Sequence, residues 1–140
     1  PETGAVSLAR YVVAQDAGRL INPMIAAGQL HGGVAQGVGQ GLLEAARYDA
    51  TSGQFLTGSF MDYAMPRASD LPGLECAFVD GPPGDNPLGV KGIGETGGTP
   101  AVANAVMDAL APLGIRHVEM PLTPQAVWRA IRARDADHRE

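Results

Sequence analysis

The stretch NPMIAAGQLHGGVAQGVGQGLLEAA, residues 22–46, predicts a long helix and thereby decides the fold. Asparagine as the N-cap and proline at the first helical position are typical of a helix start, here at Asn22 and Pro23. Six glycines lie between Gly28 and Gly41, and each costs a helix roughly 0.5–1 kcal/mol relative to alanine. Something packed closely against the helix must offset that cost. The apolar residues that we expect to face inward are Ile25, Leu30, Val34, Val38, Leu42 and Leu43.

Strands and further helices alternate around this helix. Apolar and β-branched residues predict strands within residues 5–15, 74–79 and 115–120, and Ser52-Gly53 predicts a hairpin turn. Thr-Pro pairs at residues 99–100 and 123–124 predict two more helix starts. Because this alternation lacks strict βαβ regularity, we expect an α+β (mixed α/β) fold, a two-layer sandwich with about three helices packed on a mixed sheet.

Composition limits both the size and the class of the protein. The 140 residues allow one domain, residues 1–140, whose end at Arg134–Glu140 is expected to fray. Charged residues are 18% of the chain, against about 25% in typical globular proteins. Together with 19 glycines, this low charge suggests that much of the surface is covered by something else. The lone Cys76 excludes an internal disulfide and an iron–sulfur cluster built from this chain.

The second informative stretch is GVKGIGETGG, residues 89–98, which places one carboxylate, Glu95, among five glycines. Glycine lets the main chain approach a partner closely, so this setting suits a carboxylate that faces a bulky ligand. Gly92, Gly94 and Gly97 formally match a dinucleotide-binding fingerprint, but no full strand precedes them, which disfavours that interpretation. The three histidines lack the spacing of metal ligands.

For two groups of side chains the sequence allows more than one role. Gln36 and Gln40 lie four residues apart and share a helix face, where their amides suit a neutral heterocycle or a phosphate-bearing cofactor. Alternatively, the surrounding glycines serve close helix packing and both glutamines point to solvent. Phe60, Met61 and Tyr63 are candidates for lining a pocket, but we expect them to pack in the core.

Four motifs occur in order along the chain: DAGRLINP at 16–23, GQLHGGVAQGVGQGL at 28–42, GVKGIGE at 89–95 and AVANAV at 101–106. Together they resemble the C-terminal part of the molybdenum-binding large subunit of the xanthine oxidase family of molybdenum hydroxylases. That family includes xanthine dehydrogenase, aldehyde oxidoreductase and aerobic carbon monoxide dehydrogenase, and the chain is most similar in character to the bacterial carbon-monoxide-dehydrogenase-like subunits. The resemblance extends over about residues 2–132.

The resemblance implies a molybdopterin-dependent oxidoreductase that oxidises a small substrate, such as an aldehyde or an N-heterocycle, with oxygen derived from water. Glu95 would be the general base beside the molybdenum. The cofactor would be a molybdenum–pyranopterin, expected in its cytosine dinucleotide form, and contacted by Gln36, Gly37, Gly92 and Gly94. No side chain of this chain would ligate the metal directly, because the pterin holds it.

The resemblance also implies partners. These are the remainder of the molybdopterin-binding subunit, an iron–sulfur subunit and an FAD subunit in a multimeric complex, with no nucleic acid and no membrane span. We expect the cytoplasm, with the periplasm left open. Family subunits are several times longer, so we expect a fragment or one piece of a split subunit that is inactive in isolation. The tract after Glu95 is also a few residues shorter than usual. The alternatives are a non-catalytic structural or assembly module of the same fold and, less favoured, a nucleotide-binding domain.

Overall fold

The computed structural model describes residues 1–94 and 97–137. Three helices and a small sheet form an α+β fold, which confirms the predicted class and helix number. None of the described helices is long and apolar enough to cross a membrane. In chain order the elements are β1 (Tyr11–Gln15), α1 (Pro23–Val38), a π-helical turn (Gly39–Leu43), a 3-10 turn (Ala68–Asp70), β2 (Leu74–Phe78), α2 (Gly98–Leu110), a 3-10 turn (Ala111–Leu113) and α3 (Pro124–Asp137).

The sheet is a parallel pair. β1 and β2 run side by side with Tyr11 opposite Leu74 and Gln15 opposite Phe78. A mixed sheet was expected, but these two strands are the only ones that form a ladder within the described residues. The strand predicted at residues 115–120 was wrong, because this segment has no strand beside it there to accept its hydrogen bonds. It is attached instead through the buried side chain of Ile115.

The core lies where the three helices meet. Each helix contributes apolar residues four positions apart, which places them on one face. Leu122, just before α3, donates its backbone N–H to the Gly41 carbonyl at 2.7 Å and ties α3 to the π-helical turn. Ile25 was wrongly predicted to face inward, since it is 60% exposed on the first turn of α1. The buried cluster comprises Val34, Val38, Leu42, Val102, Val106, Leu110, Ile115, Leu122, Val127 and Ile131.

The segment between α1 and β2 also departs from one prediction. The hairpin is confirmed, because Tyr48 and Phe55 form an antiparallel bridge and their rings lie 5.0 Å apart. Phe60 and Met61 were expected in the core but are 83% and 93% exposed. They occupy a surface turn. Just after this turn, Tyr63 donates its hydroxyl to Glu44 at 2.5 Å and attaches the turn to that residue.

Two of the three helix starts follow the predicted chemistry, whereas α2 begins at Gly98, one residue before the predicted Thr99, and has no side-chain cap. Asn22 is extended, with φ −137° and ψ 101°, and its Oδ1 accepts the N–H of Ile25 at 3.1 Å, while Pro23 is the first helical residue. Thr123 does the same for α3, accepting the N–H of Ala126 through Oγ1 at 3.2 Å. α3 continues through Asp137. A side-chain acceptor of this kind satisfies one of the orphan N–H groups at a helix start.

Asn22→Ala is expected to lower the free energy of unfolding by about 1 kcal/mol, because the N–H of Ile25 loses its acceptor. Urea unfolding of the purified protein measures the change. Asn22→Ser keeps an acceptor and should stay close to the parent. Equal destabilisation by both substitutions would contradict the capping role.

Candidate functional site

Glycines on α1 receive the glycine-rich segment of residues 92–98, which we call the glycine loop. A Cβ atom built on Gly33 would lie 2.0 Å from the carbonyl oxygen of Gly94. One built on Gly37, a helical turn further on, would lie 2.3 Å from the carbonyl carbon of Gly98. Both neighbours are backbone atoms, so no side chain fits at either position. The loop therefore packs main chain to main chain on α1, which explains two of the unusual helix glycines.

The loop backbone needs glycine as well. Gly94 has φ +123°, a conformation that other residues rarely adopt. Its α-carbon also faces α1, since a Cβ there would lie 3.1 Å from the carbonyl oxygen of Gln29. Close contact continues along the helix, where a Cβ on Gly41 would meet Val102 of α2 at 3.2 Å. A glycine face of α1 thus receives first the loop and then the helix that follows it.

The segment leading into the loop is attached to the turn after β1. The backbone N–H of Lys91 donates to the carbonyl of Ala17 at 3.0 Å, and that of Arg19 donates to the carbonyl of Gly89 at 2.8 Å. Beside these bonds, Lys91 Nζ lies 2.5 Å from Asp16 Oδ2. The hydrogen bond from Lys91 lowers the pKa of the Asp16 carboxyl, and a further bond from the Gly18 N–H adds to the effect. Asp16 is therefore ionised at neutral pH.

The other end of the loop is attached where α2 begins. Thr99 donates its hydroxyl to Gln40 Oε1 at 2.9 Å, and Tyr11 of β1 donates its hydroxyl to the Gly98 carbonyl at 3.3 Å. Burial raises the pKa of the Tyr11 hydroxyl, which stays protonated and able to donate. The start of the glycine loop is thus attached to the turn after β1, and its end to β1 and the π-helical turn.

Beside the loop, α1 and the π-helical turn that follows it present an exposed row with i, i+4 spacing, which we call the open row: Gly28, Gly32, Gln36 and Gln40. A Cβ on Gly28 or Gly32 would meet no other part of the described chain within 4 Å. The same holds for Gly92 and Gly97 in the loop. The open row therefore combines bare backbone with two amides that can donate and accept hydrogen bonds.

The predicted site residues fall into three groups. Gln36 is exposed on the open row and Gly92 is exposed in the loop, so both are accessible to a ligand. Gly37 is buried beneath Gly98, while Gly94 is packed on α1 and half-buried. Glu95, the predicted general base, lies outside the described residues. The structure does bring together the two sequence motifs that carry these residues, since Gly94 and Gly98 of the loop both pack on α1.

Sequence reasoning missed two contacts at this site, Asp16 with Lys91 and Gln40 with Thr99. Asp16 and Lys91 were each quoted only as part of a sequence motif, and no contact between them was predicted. Their opposite charges in two separated motifs were an available signal, although the sequence alone does not bring residues 75 positions apart into contact. The argument against a dinucleotide fingerprint holds, because the described segment immediately before the loop forms an isolated bridge, Val90 with Gly18, and not a strand.

Comparison with known proteins identifies the fold. The family profile described as the molybdopterin cofactor-binding domain matches residues 1–72, which include β1 and the whole of α1. The chain belongs to this family. It is 43% identical over 133 residues to the large subunit of nicotine 6-hydroxylase from Paenarthrobacter nicotinovorans, a match covering 93% of this chain and 16% of that subunit. The predicted resemblance to molybdenum hydroxylase large subunits is confirmed.

Two further similarities agree with this assignment. The large chain of carbon monoxide dehydrogenase from Afipia carboxidovorans is 37% identical over 131 residues, covering 91% of this chain and 16% of the relative. A solved structure, reconstituted CO dehydrogenase from Oligotropha carboxidovorans, superposes with a TM-score of 0.89 at 35% identity, covering 97% of this chain and 17% of that one. The chain thus spans about one-sixth of the length of the curated relatives that it matches.

Gly33→Ala is expected to lower the free energy of unfolding by about 1–3 kcal/mol, because the new methyl group displaces the loop backbone at Gly94. The adjacent Gly32→Ala is the matched control. It meets open space in the described chain and should raise stability by about 0.5–1 kcal/mol through helix propensity. Urea unfolding measures both; stabilisation of equal size would contradict the close packing of the loop.

Proposed function

We propose that this chain forms part of the cofactor site of a molybdenum hydroxylase that oxidises a small substrate with oxygen derived from water, with Glu95 as its general base. One observation carries the proposal: Gly94 and Gly98, on either side of the Glu95 position, both pack on α1 beside the open row. The two described glycines that flank Glu95 in sequence and the predicted pterin contact, Gln36, therefore lie on neighbouring faces of α1.

The residues of this surface fit a pterin. A flat heterocycle with hydrogen-bonding edges needs bare backbone and polar groups that both donate and accept, and the open row offers both. Gln36 would hydrogen-bond the pterin, and the backbone at Gly92 and Gly94 would lie against it. Gly37, buried beneath Gly98, would contribute the space that lets the loop approach. When bound, a molybdenum–pyranopterin supplies two-electron redox chemistry and a metal site for water.

Glu95 would accept a proton in the oxidation. A positioned general base contributes about 10²–10⁴-fold to rate when its pKa lies near the working pH. A carboxylate reaches that range when burial removes water around it. Four of the five glycines of residues 89–98 lie within three residues of Glu95, so the segment that carries it is poor in bulky side chains. Such a segment would leave room for a substrate beside the carboxylate.

The remaining assignments are also part of the proposal. The cofactor is the cytosine dinucleotide form, and electrons leave through iron–sulfur and FAD groups on partner chains, because one cysteine does not hold a cluster. The rest of the molybdopterin-binding subunit completes the pocket, in a multimeric complex in the cytoplasm. Relatives named for nicotine and for carbon monoxide indicate that the substrate is a small molecule.

Glu95→Gln, in the assembled enzyme that contains this chain, is expected to lower kcat by about 10²–10⁴-fold while molybdenum per subunit stays unchanged, because the amide cannot accept the proton. Turnover is measured with a dye as electron acceptor, on nicotine, xanthine, carbon monoxide and an aromatic aldehyde. Glu119→Gln, an exposed glutamate, is the matched control and should keep full activity. Retention of turnover by Glu95→Gln would favour the structural or assembly module.

Gln36→Ala is expected to weaken cofactor retention by about tenfold, the value of one lost hydrogen bond of about 1.4 kcal/mol. Molybdenum per subunit after dialysis, measured by mass spectrometry, tests this expectation. Gln125→Ala removes the same amide from an exposed position on α3 and should leave the molybdenum content unchanged. Equal retention in both variants would remove Gln36 from the cofactor site.

A further inference from the structure

The ion pair between Asp16 and Lys91 differs from the other ion pair between separated segments of the described chain. The side chains of Lys91 and Asp16 are only 29% and 31% exposed. Arg10 and Glu75, which pair at 2.6 Å, are 69% and 56% exposed. Partial burial matters because an exposed pair is worth little, whereas a shielded, hydrogen-bonded pair holds its geometry better. The two pairs lie at opposite ends of the same sheet, since Arg10 precedes β1 and Asp16 follows it.

Asp16 is enclosed by three segments of the chain. Its Oδ1 accepts the N–H of Gly18 at 2.8 Å and shapes the turn after β1. Its Oδ2 receives Lys91 Nζ at 2.5 Å. On the third side lies Gly81, after β2, where a Cβ would come within 2.1 Å of Oδ2. The carboxylate therefore joins the turn after β1, the loop after β2 and the start of the glycine loop.

Lys91 is the last residue before the glycine loop. Its backbone N–H donates a hydrogen bond to the carbonyl of Ala17, and three residues later Gly94 packs on α1. Glu95 follows Lys91 by four positions in the chain, a reach of at most about 14 Å. Glycine-rich backbone has little shape of its own, so the position of such a segment depends on the residues that anchor its ends.

We propose that Asp16 and Lys91 are positioning residues, which fix the start of the glycine loop and thereby set the approach of Glu95 to the reacting atoms. This inference rests on the proposed function for Glu95. Neither side chain is required to touch the cofactor or the substrate. Their effect is on the placement of the base, and an error of about 1 Å in such placement can cost about 10²-fold in rate.

The test compares Asp16→Asn with Glu75→Gln in the assembled enzyme. Each substitution converts the carboxylate of one of the two ion pairs into its amide, and Asp16→Asn keeps the Oδ1 acceptor for Gly18. Hydrogen–deuterium exchange of peptides covering residues 89–98 reports the loop directly. Asp16→Asn is expected to speed their exchange by about tenfold, because the anchored segment opens more often. Glu75→Gln should leave exchange at the parent rate.

Kinetics separate positioning from general damage. Asp16→Asn is expected to lower kcat by about 10²-fold with KM changed by less than about twofold, because transition-state contacts are lost and substrate binding is kept. Lys91→Met should match it, the double variant should be no worse than either, and Lys91→Arg should restore most of the rate since it retains a cation. Should Asp16→Asn fail to assemble, the comparison of Lys91→Met with Lys91→Arg carries the same test.

The two proposals fail in different ways. Parent-like exchange in Asp16→Asn and Lys91→Met, with turnover lost in Glu95→Gln, overturns the positioning role alone. Faster exchange with unchanged kcat also overturns it, because the loop then moves without consequence for the reaction. Full turnover in Glu95→Gln instead overturns the proposed function, whatever the exchange rates are.

Discussion

The contact on which the rest of the structure depends is that of backbone on backbone between α1 and the glycine loop. At Gly33 and Gly37 the helix has no side chain between its axis and the loop, and the loop presents glycines in return. This contact fixes how closely α2 approaches α1, because α2 begins at Gly98. The apolar residues of α1 and α2 then meet in the shared core. Helix packing at this distance is available only to small residues.

The helices could be predicted from sequence, and the reason is local. Asn22-Pro23 and Thr123-Pro124 carry their own capping groups, so the chemistry that starts each helix is present in neighbouring residues. The outward direction of Ile25 could not be predicted in this way. It fits the helical period, yet it lies one turn before the region where α2 and the loop cover α1. The spacing of apolar residues identifies the apolar face of a helix. Only the tertiary contacts show how far along the helix that face is covered.

The strands and the site needed the structure for a different reason. A strand acquires its hydrogen bonds from a distant segment, so alternation at residues 115–120 predicts a strand that finds no partner in the described part. Similarly, the motif around Gln36 and the glycine loop each stood out in the sequence. Their adjacency depends on the contacts of Gly33 with Gly94 and of Gly37 with Gly98, which form only in the folded chain. The side chain of Glu95 lies outside the described residues, so its role still rests on the resemblance and on its neighbours.

The six glycines of residues 28–41 divide by what they contact, and this division bears on function. Gly33, Gly37, Gly39 and Gly41 each face an atom within 3.4 Å of a Cβ position, so close packing explains them. Gly28 and Gly32 face no other described segment within 4 Å, yet together they cost the helix about 1–2 kcal/mol relative to alanine. No described segment of the chain returns that cost. A ligand that approaches the helix backbone along the open row would return it, and this is the surface on which the proposed pterin contact lies.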